Sequence, residues 1–526
     1  MTTLHNGDHL SWGDALFLYL ERAGMPMNIA SVSVFEGEIS LADCIKSMEA
    51  KLPLLPRYYQ RVVTPPWNLG FPSWEQDPEF DISNHMREVT LKHGTEGELK
   101  TLAGKILSTM MDRQRPLWDF TVVHGLKGDR SAVMMRIHHC LADGIAGVGL
   151  MNVLMGSEPE GSVVGSRKTT RVRRCGRQKP QGLLDAGLSS YSDMVERILK
   201  TYSDVTNLSL GMAATSGDWP MEEFQRLLPE LTAPTERLFF NTTYQGPQKF
   251  TWAKIPLAEI KAVREKWGGT HNDLVVALIT SAIGRYAELH GDRIKGRLLR
   301  MMVPVSVRGN DSASELGNRI SILPVNVPLG IRNTRKLFAA VHRRIDFLKR
   351  SHMAEMVGMA GGLLGLVPAP LQALVGPFAS LLPVTPFNLV CTNIRGPQTP
   401  LYLAGRKMVD WYPYVPIGGE MTVNCAVLSY NDFTYFGFSG DAQVAPDLGR
   451  LEKFLRLSFE EMRRAAGVRT SRRKKSAEVE PLAPVPQRRV RRTLVIPARV
   501  NGRERSPAPS PTPAQEKKQP PPMAAD

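Results

Sequence analysis

RIHHCLADGIAG, residues 136–147, sets two histidines side by side and follows them with an aspartate and a glycine. The preceding SAVMMRIHHC, 131–140, is apolar and rich in residues that suit a pleated surface, so 132–140 reads as a strand. Side chains alternate along a strand. His139 therefore falls on the face of Val133, Met135 and Ile137, and His138 on the face of Met134 and Arg136. Rings that point opposite ways cannot close on one metal ion, and no metal site is expected. Apolar company would desolvate the His139 ring and keep it uncharged at neutral pH, the form a general base needs. Cys140 falls with His138, away from His139, which argues against a thiol nucleophile. Asp143 and Gly144 break the strand and open a helix over GIAGVGLMNVLMG; Asp143 suits its N-terminus. An arbitrary pair of histidines is most often two partly buried rings without chemistry. The spacing H-H-x-x-x-D-G on a strand, turn and helix is far more specific.

The chain around this stretch has 526 residues, too many for one ordinary core. Its net charge of +15 invites a nucleic-acid reading, but the charge is concentrated. Residues 157–180 carry +5 and residues 468–526 carry +9, which leaves the remainder close to neutral. Basicity in a linker and a tail is not a folded nucleic-acid face, and no nucleic-acid partner is expected. Five scattered cysteines without a CxxC pair fit a reduced, cytoplasmic setting. The N-terminal segment has neither the cationic start nor the long apolar core of a secretory signal. Met356 to Ile394 is uncharged, but its prolines leave no run of the ~20 residues that a spanning helix needs. Such a segment suits a peripheral contact with lipid, or equally a buried hairpin.

Periodicity divides the chain into a mixed α/β segment over 1–156, a flexible basic linker over 157–182, and a helical crossover over 183–240. A second α/β segment follows over 241–467, and a disordered basic, Pro-rich tail over 468–526. In the first segment Leu99, Leu102, Ile106 and Met110 form one stripe of an expected helix.

The motif resembles that of the CoA-dependent acyltransferase superfamily, at His138, His139, Asp143 and Gly144. Ordered landmarks over residues 10–465 narrow the resemblance to the bacterial wax ester synthase/diacylglycerol acyltransferase family. LSWGDALFLYLERAGMPMNIASVSVFEG is similar to the family's opening, Pro116-Leu117-Trp118 to its PLW motif, and Asn272-Asp273 to its ND motif. MVPVSVRG, LGNRIS and TNIRGPQTPLYLAG follow in the family's order. Two positions depart from the pattern: Asn28 stands where a histidine is expected after Pro26-Met27, and Arg395 where a proline often precedes Gly396-Pro397.

The resemblance implies an α/β fold of two chloramphenicol-acetyltransferase-like domains with the active-site tunnel at their interface. It implies His139 as general base for direct transfer of a long-chain acyl group from acyl-CoA to diacylglycerol or a long-chain fatty alcohol. Acyl-CoA is then a co-substrate, and no other cofactor is implied. Asn272 is a candidate oxyanion donor, or alternatively the N-cap of the helix that follows it. Asp143 is assigned to the architecture of the turn, and Pro116, Leu117, Trp118 and Asp273 to structure. The implied location is cytoplasmic, peripheral to the inner face of the plasma membrane or to lipid droplets. Two rivals remain: another HHxxxDG enzyme of the condensation type, and a non-catalytic lipid-surface protein.

Overall fold

The computed structural model describes residues 9–68, 70–158, 233–306, 320–351, 353, 367, 369–379 and 386–469. The first half opens with helix α1 (Trp12–Leu20) and strand β1 (Asn28–Glu36), then α2 (Leu41–Lys51), the hairpin β2 (Gln60–Val63) and β3 (Ser73–Gln76), and β4 (Met86–Thr90). Helix α3 (Glu96–Leu107), strands β5 (Trp118–Leu126) and β6 (Arg130–His138), and helix α4 (Gly144–Leu154) complete it. The second half holds β7 (Gln248–Pro256), α5 (Leu257–Trp267), α6 (His271–Leu289), β8 (Leu298–Ser306), β9 (Ile320–Pro328), α7 (Thr334–Arg350) and α8 (Ala369–Ala379). It ends with β10 (Leu389–Arg395), β11 (Tyr402–Leu403), β12 (Arg406–Tyr414), β13 (Val423–Tyr430), β14 (Phe433–Asp441) and α9 (Arg450–Ala465).

These strands make two six-stranded sheets, β11-β12-β1-β6-β5-β4 and β7-β14-β13-β10-β8-β9. Each has its own apolar core. Strand β6 is buried from Ser131 to His138 because it lies in mid-sheet, antiparallel to β1 and β5. The second core is threaded by α6. A capping box starts this helix: Thr270 Oγ1 accepts from Asp273 N, and Asp273 Oδ2 accepts from Thr270 N. Helix α9 closes that core with Leu451, Leu455, Phe459 and Met462 on one stripe and its Arg and Glu residues outward.

The chain does not divide as 1–156 and 241–467. Strands β11 and β12 belong by sequence to the second half but extend the first sheet, β12 pairing with β1 from Ala30↔Tyr414 to Phe35↔Met408. The reason is visible where the sheets touch. Tyr412 stacks on Trp252 at 4.8 Å and Lys254 pairs with Asp410, so β12 is the strap that holds β7 and β14 to the first sheet. Gly437 of β14 must be glycine, because a Cβ there would lie 1.9 Å from Pro413 O.

Other expectations shift locally. Helix α3 ends at Leu107, and Met110 is exposed rather than part of the buried stripe. Residues 233–240, the described end of the expected helical crossover, contain no helix. The rest of the crossover, most of the linker and most of the tail lie outside the described residues. Among the described residues no helix is long and apolar enough to cross a membrane.

Candidate active site

Strand β6 stops at His138, one residue short of His139, and that boundary changes the geometry expected of the two rings. The His138 N–H donates to Leu117 O at 2.9 Å and the His139 N–H to Met27 O at 2.8 Å; Leu141 N then donates back to His138 O at 2.9 Å. The chain thus leaves the sheet in a turn at 139–140, and strand alternation no longer governs His139. Both rings address α1 and its C-terminal end. His139 stacks face to face on Phe17, with centroids 3.8 Å apart and planes 9° off parallel. His138 Nε2 lies 3.3 Å from Glu21 Oε1. Both rings thus reach one element, α1 and its end, through Phe17 and Glu21.

The two histidines differ in surroundings. His138 is fully buried, and its Nδ1 accepts from Cys140 N at 3.1 Å. An accepting Nδ1 places the ring hydrogen on Nε2, facing the Glu21 carboxylate. Glu21 also accepts from Met27 N at 3.0 Å and, through Oε2, from Arg113 Nη2 and Nε at 2.8 and 3.2 Å. Burial works to raise the Glu21 pKa, but the hydrogen bonds it accepts from His138, Arg113 and Met27 hold it down to about 2. Glu21 is therefore an anion at any working pH. Met27 connects the two systems, since its N–H is fixed by Glu21 and its carbonyl holds His139.

His139 is only half-buried by its surface. Burial nonetheless lowers its pKa to about 4. The ring is uncharged at neutral pH and can accept a proton. Cys140 is buried and its thiol is pushed well above the ordinary range by that burial, so it is not a thiolate nucleophile.

The helix after the turn is built to close tightly. Asp143 is fully buried and caps α4, accepting from Ala146 N at 2.7 Å. Gly144 faces Ile394 of β10, whose Cδ1 would lie 2.5 Å from a Cβ at that position. This contact brings the second half against the motif. All three residues of the PLW triplet are buried, Pro116 O accepts from Trp118 N, and Trp118 Nε1 donates to Tyr58 O at 2.8 Å. Leu117 supplies the carbonyl that ends β6, which explains why the triplet accompanies the histidines.

Asn272 is not an N-cap. Thr270 fills that role, and Asn272 lies inside the first turn of α6. Its Oδ1 accepts from Asn393 Nδ2 at 3.0 Å. Asn393 and Ile394 are neighbours on β10 and point to opposite faces, so the Asn272 contact and the Gly144 contact lie on opposite sides of this strand. Asp273 is buried, closes the capping box and accepts from His342 Nδ1 at 2.8 Å, a structural position.

Sequence reasoning missed Glu21, Arg113, Phe17 and Asn393. Phe17 and Glu21 stand four residues apart at the end of α1, the spacing of one helix face, and that was the available signal. Nothing local distinguishes a glutamate that will be buried from one that stays solvated.

Known proteins are similar to this chain over most of its length. Residues 10–275 match the model of the wax ester synthase/diacylglycerol acyltransferase catalytic domain, and residues 316–463 match the C-terminal domain of the same family. A probable diacylglycerol O-acyltransferase of Mycobacterium tuberculosis is 30% identical over 457 residues, covering 85% of this chain and 94% of the relative. A second from that species is 26% identical over 463 residues, covering 86% of this chain and 98% of the relative. Among solved structures, a wax ester synthase/diacylglycerol acyltransferase from Marinobacter aquaeolei superposes with a TM-score of 0.58 at 23% identity, covering 88% of this chain and all of that one. The first condensation domain of the calcium-dependent antibiotic synthetase gives a TM-score of 0.55 at 16% identity, covering 88% and 97% of the two chains. The fold is that of two chloramphenicol-acetyltransferase-like halves. On the family models and the mycobacterial relatives together, the chain belongs to the wax ester synthase/diacylglycerol acyltransferase family.

Proposed function

We propose that this acyltransferase moves a long-chain acyl group from acyl-CoA directly to the hydroxyl of diacylglycerol or of a long-chain alcohol. The observation that carries the reading is the His139 ring stacked on Phe17 at the start of a turn that Met27 and Glu21 hold in place, where burial favours its uncharged form. His139 takes the hydroxyl proton as the oxygen attacks the thioester carbon. The tetrahedral adduct then collapses, the carbon–sulfur bond breaks, and His139 returns the proton to the departing thiolate. Ester and free CoA are the products, and no cofactor takes part. A positioned imidazole contributes about 10²–10⁴-fold to such a step. Alignment of both substrates supplies much of the rest. Asn272 is proposed as a donor to the oxyanion: with Oδ1 occupied by Asn393, Nδ2 is the group it has to offer.

The test is an assay of the purified protein with palmitoyl-CoA and either diolein or hexadecanol, without any carrier protein. Formation of triacylglycerol or wax ester is the expected result. Absence of both products would overturn the proposal.

We also propose that the enzyme works peripherally at a membrane or lipid-droplet surface on the cytoplasmic side. Trp67 is 82% exposed and held at a positive φ of 57°, an unfavourable backbone for a bulky residue, behind Pro65 and Pro66. Its 3-10 turn, Pro66–Asn68, lies against α8, where Leu371, Leu374 and Val375 share an exposed face. Helix α8 in turn packs on α1, the helix whose Phe17 clamps His139. An apolar surface beside the site suits substrates that reside in lipid. In flotation with phosphatidylcholine–phosphatidylglycerol vesicles, Trp67→Ser combined with Leu374→Gln should cut the bound fraction roughly tenfold, the loss expected when a buried aromatic and a leucine are withdrawn from lipid. Equal flotation of variant and wild type would contradict the assignment.

A further inference from the structure

Asn28 opens β1 directly opposite His138 in the antiparallel pair. Directly opposed residues share a face, so the Asn28 amide lies on the side of His138 and Arg136, together with Ala30 and its partner Tyr414. Tyr414 reaches across to Gln248 of β7, which makes this the face turned to the second half of the chain. Asn28 is 1% exposed, and among the described residues neither its Oδ1 nor its Nδ2 has a hydrogen-bond partner. His138 cannot serve it, because Nδ1 is taken by Cys140 and Nε2 faces Glu21. A buried carboxamide with its donors and its acceptor all unmatched is a standing cost unless something else completes it. The preceding residue, Met27, is the one whose carbonyl holds His139, so Asn28 follows directly on the anchor of the base.

We infer that the Asn28 carboxamide binds an ester carbonyl of the acceptor, and so selects diacylglycerol over simple long-chain alcohols. The inference rests on the acyl-transfer reading above. A fatty alcohol brings only one polar atom, and that oxygen is committed to attack while its proton passes to His139. A diacylglycerol brings ester carbonyls a few bonds from its free hydroxyl, placed to accept from Nδ2 while the hydroxyl meets the base. A site built to hydrogen-bond a substrate group discriminates against an analogue that lacks it, because its own polar atoms are then left unpaired.

The experiment compares wild type with Asn28→Leu, measuring kcat/KM for diolein and for hexadecanol with palmitoyl-CoA, and Tm alongside. The inference predicts a loss of roughly tenfold or more with diolein, about 1.4 kcal/mol for each factor of ten, while hexadecanol stays within about twofold and Tm holds or rises. A parallel loss with both acceptors, or no loss with diolein, overturns it. If Asn28→Leu fails to fold, Asn28→Ala is read by the same ratio. Failure of the wild type with both acceptors would instead overturn the acyl-transfer reading, so the two outcomes are distinct.

Discussion

Replacing His139 with alanine should lower kcat by about 10²–10⁴-fold and leave the protein folded. The structure gives two reasons to expect loss of turnover without loss of fold. The backbone N–H that anchors residue 139 to Met27 survives any substitution except proline. The ring itself is half-buried and contributes chiefly its stack on Phe17. His139→Gln should behave the same way, because an amide fills much of the space but cannot accept and return a proton at neutral pH. His138 makes the informative contrast. That ring is fully buried between Cys140 N and Glu21, so its removal leaves a buried backbone donor unmatched, takes one partner from the carboxylate and should show first in Tm. Comparable kcat losses at both positions with equal drops in Tm would mean that the pair acts as packing and that neither ring is the base.

The second large effect is expected at Glu21. Its carboxylate gathers His138, Met27 N and Arg113 around one buried anion, and its removal leaves His138 and Met27 N without their acceptor and Arg113 with only Leu18 O and water. Glu21→Ala should cost about 3 kcal/mol, near the low end for breaking a buried pair because the Arg113 side chain keeps access to water. Glu21→Gln keeps the shape and one acceptor oxygen but turns an N–H toward a donor. It should retain more stability than the alanine variant and still lose activity, because Met27 is the shared anchor of Glu21 and His139. A misplacement of about 1 Å costs on the order of 10²-fold, and kcat for Glu21→Gln should fall by about that factor. A variant with normal kcat would show that the carboxylate holds the fold but not the base.

The glutamate also has a signature in pH. Its folded pKa is depressed to about 2, so the stability it contributes is present above the ordinary carboxylate range and is lost as pH falls toward 2. His139 acts in a higher window. Its folded pKa near 4 lies below the ordinary value, so between about 6.5 and 4 the unfolded chain binds more protons and stability declines as pH falls through that interval.

The local parts of this design were legible in the sequence. A strand, a turn and a capped helix follow from the apolar run before His138, from Asp143 and Gly144, and from the small residues behind them, all within 24 residues of each other. Asp143 caps α4 as its residue type and position imply. Features that depend on distant partners were not legible. The end of β6 is set by Leu117 and Met27, each from another strand or loop, which the alternation of 132–140 does not contain. The β11–β12 crossover follows from the fit of Tyr412 on Trp252 and of Gly437 under Pro413, which are pairings between remote segments. Asn272 read equally well as a cap or as a donor until Thr270 and Asp273 were seen to close the capping box without it.

The account depends on an imidazole that stays uncharged through the range in which the enzyme works. The pH dependence of kcat/KM for wild type, measured with palmitoyl-CoA and diolein between pH 4.5 and 8 with stability checked at each point, tests this directly. With the His139 pKa held near 4 by burial, kcat/KM should be flat over that range and begin to fall only at its acid end. A limb that halves activity near pH 6.5, the value of an ordinary solvated histidine, would contradict the buried neutral base.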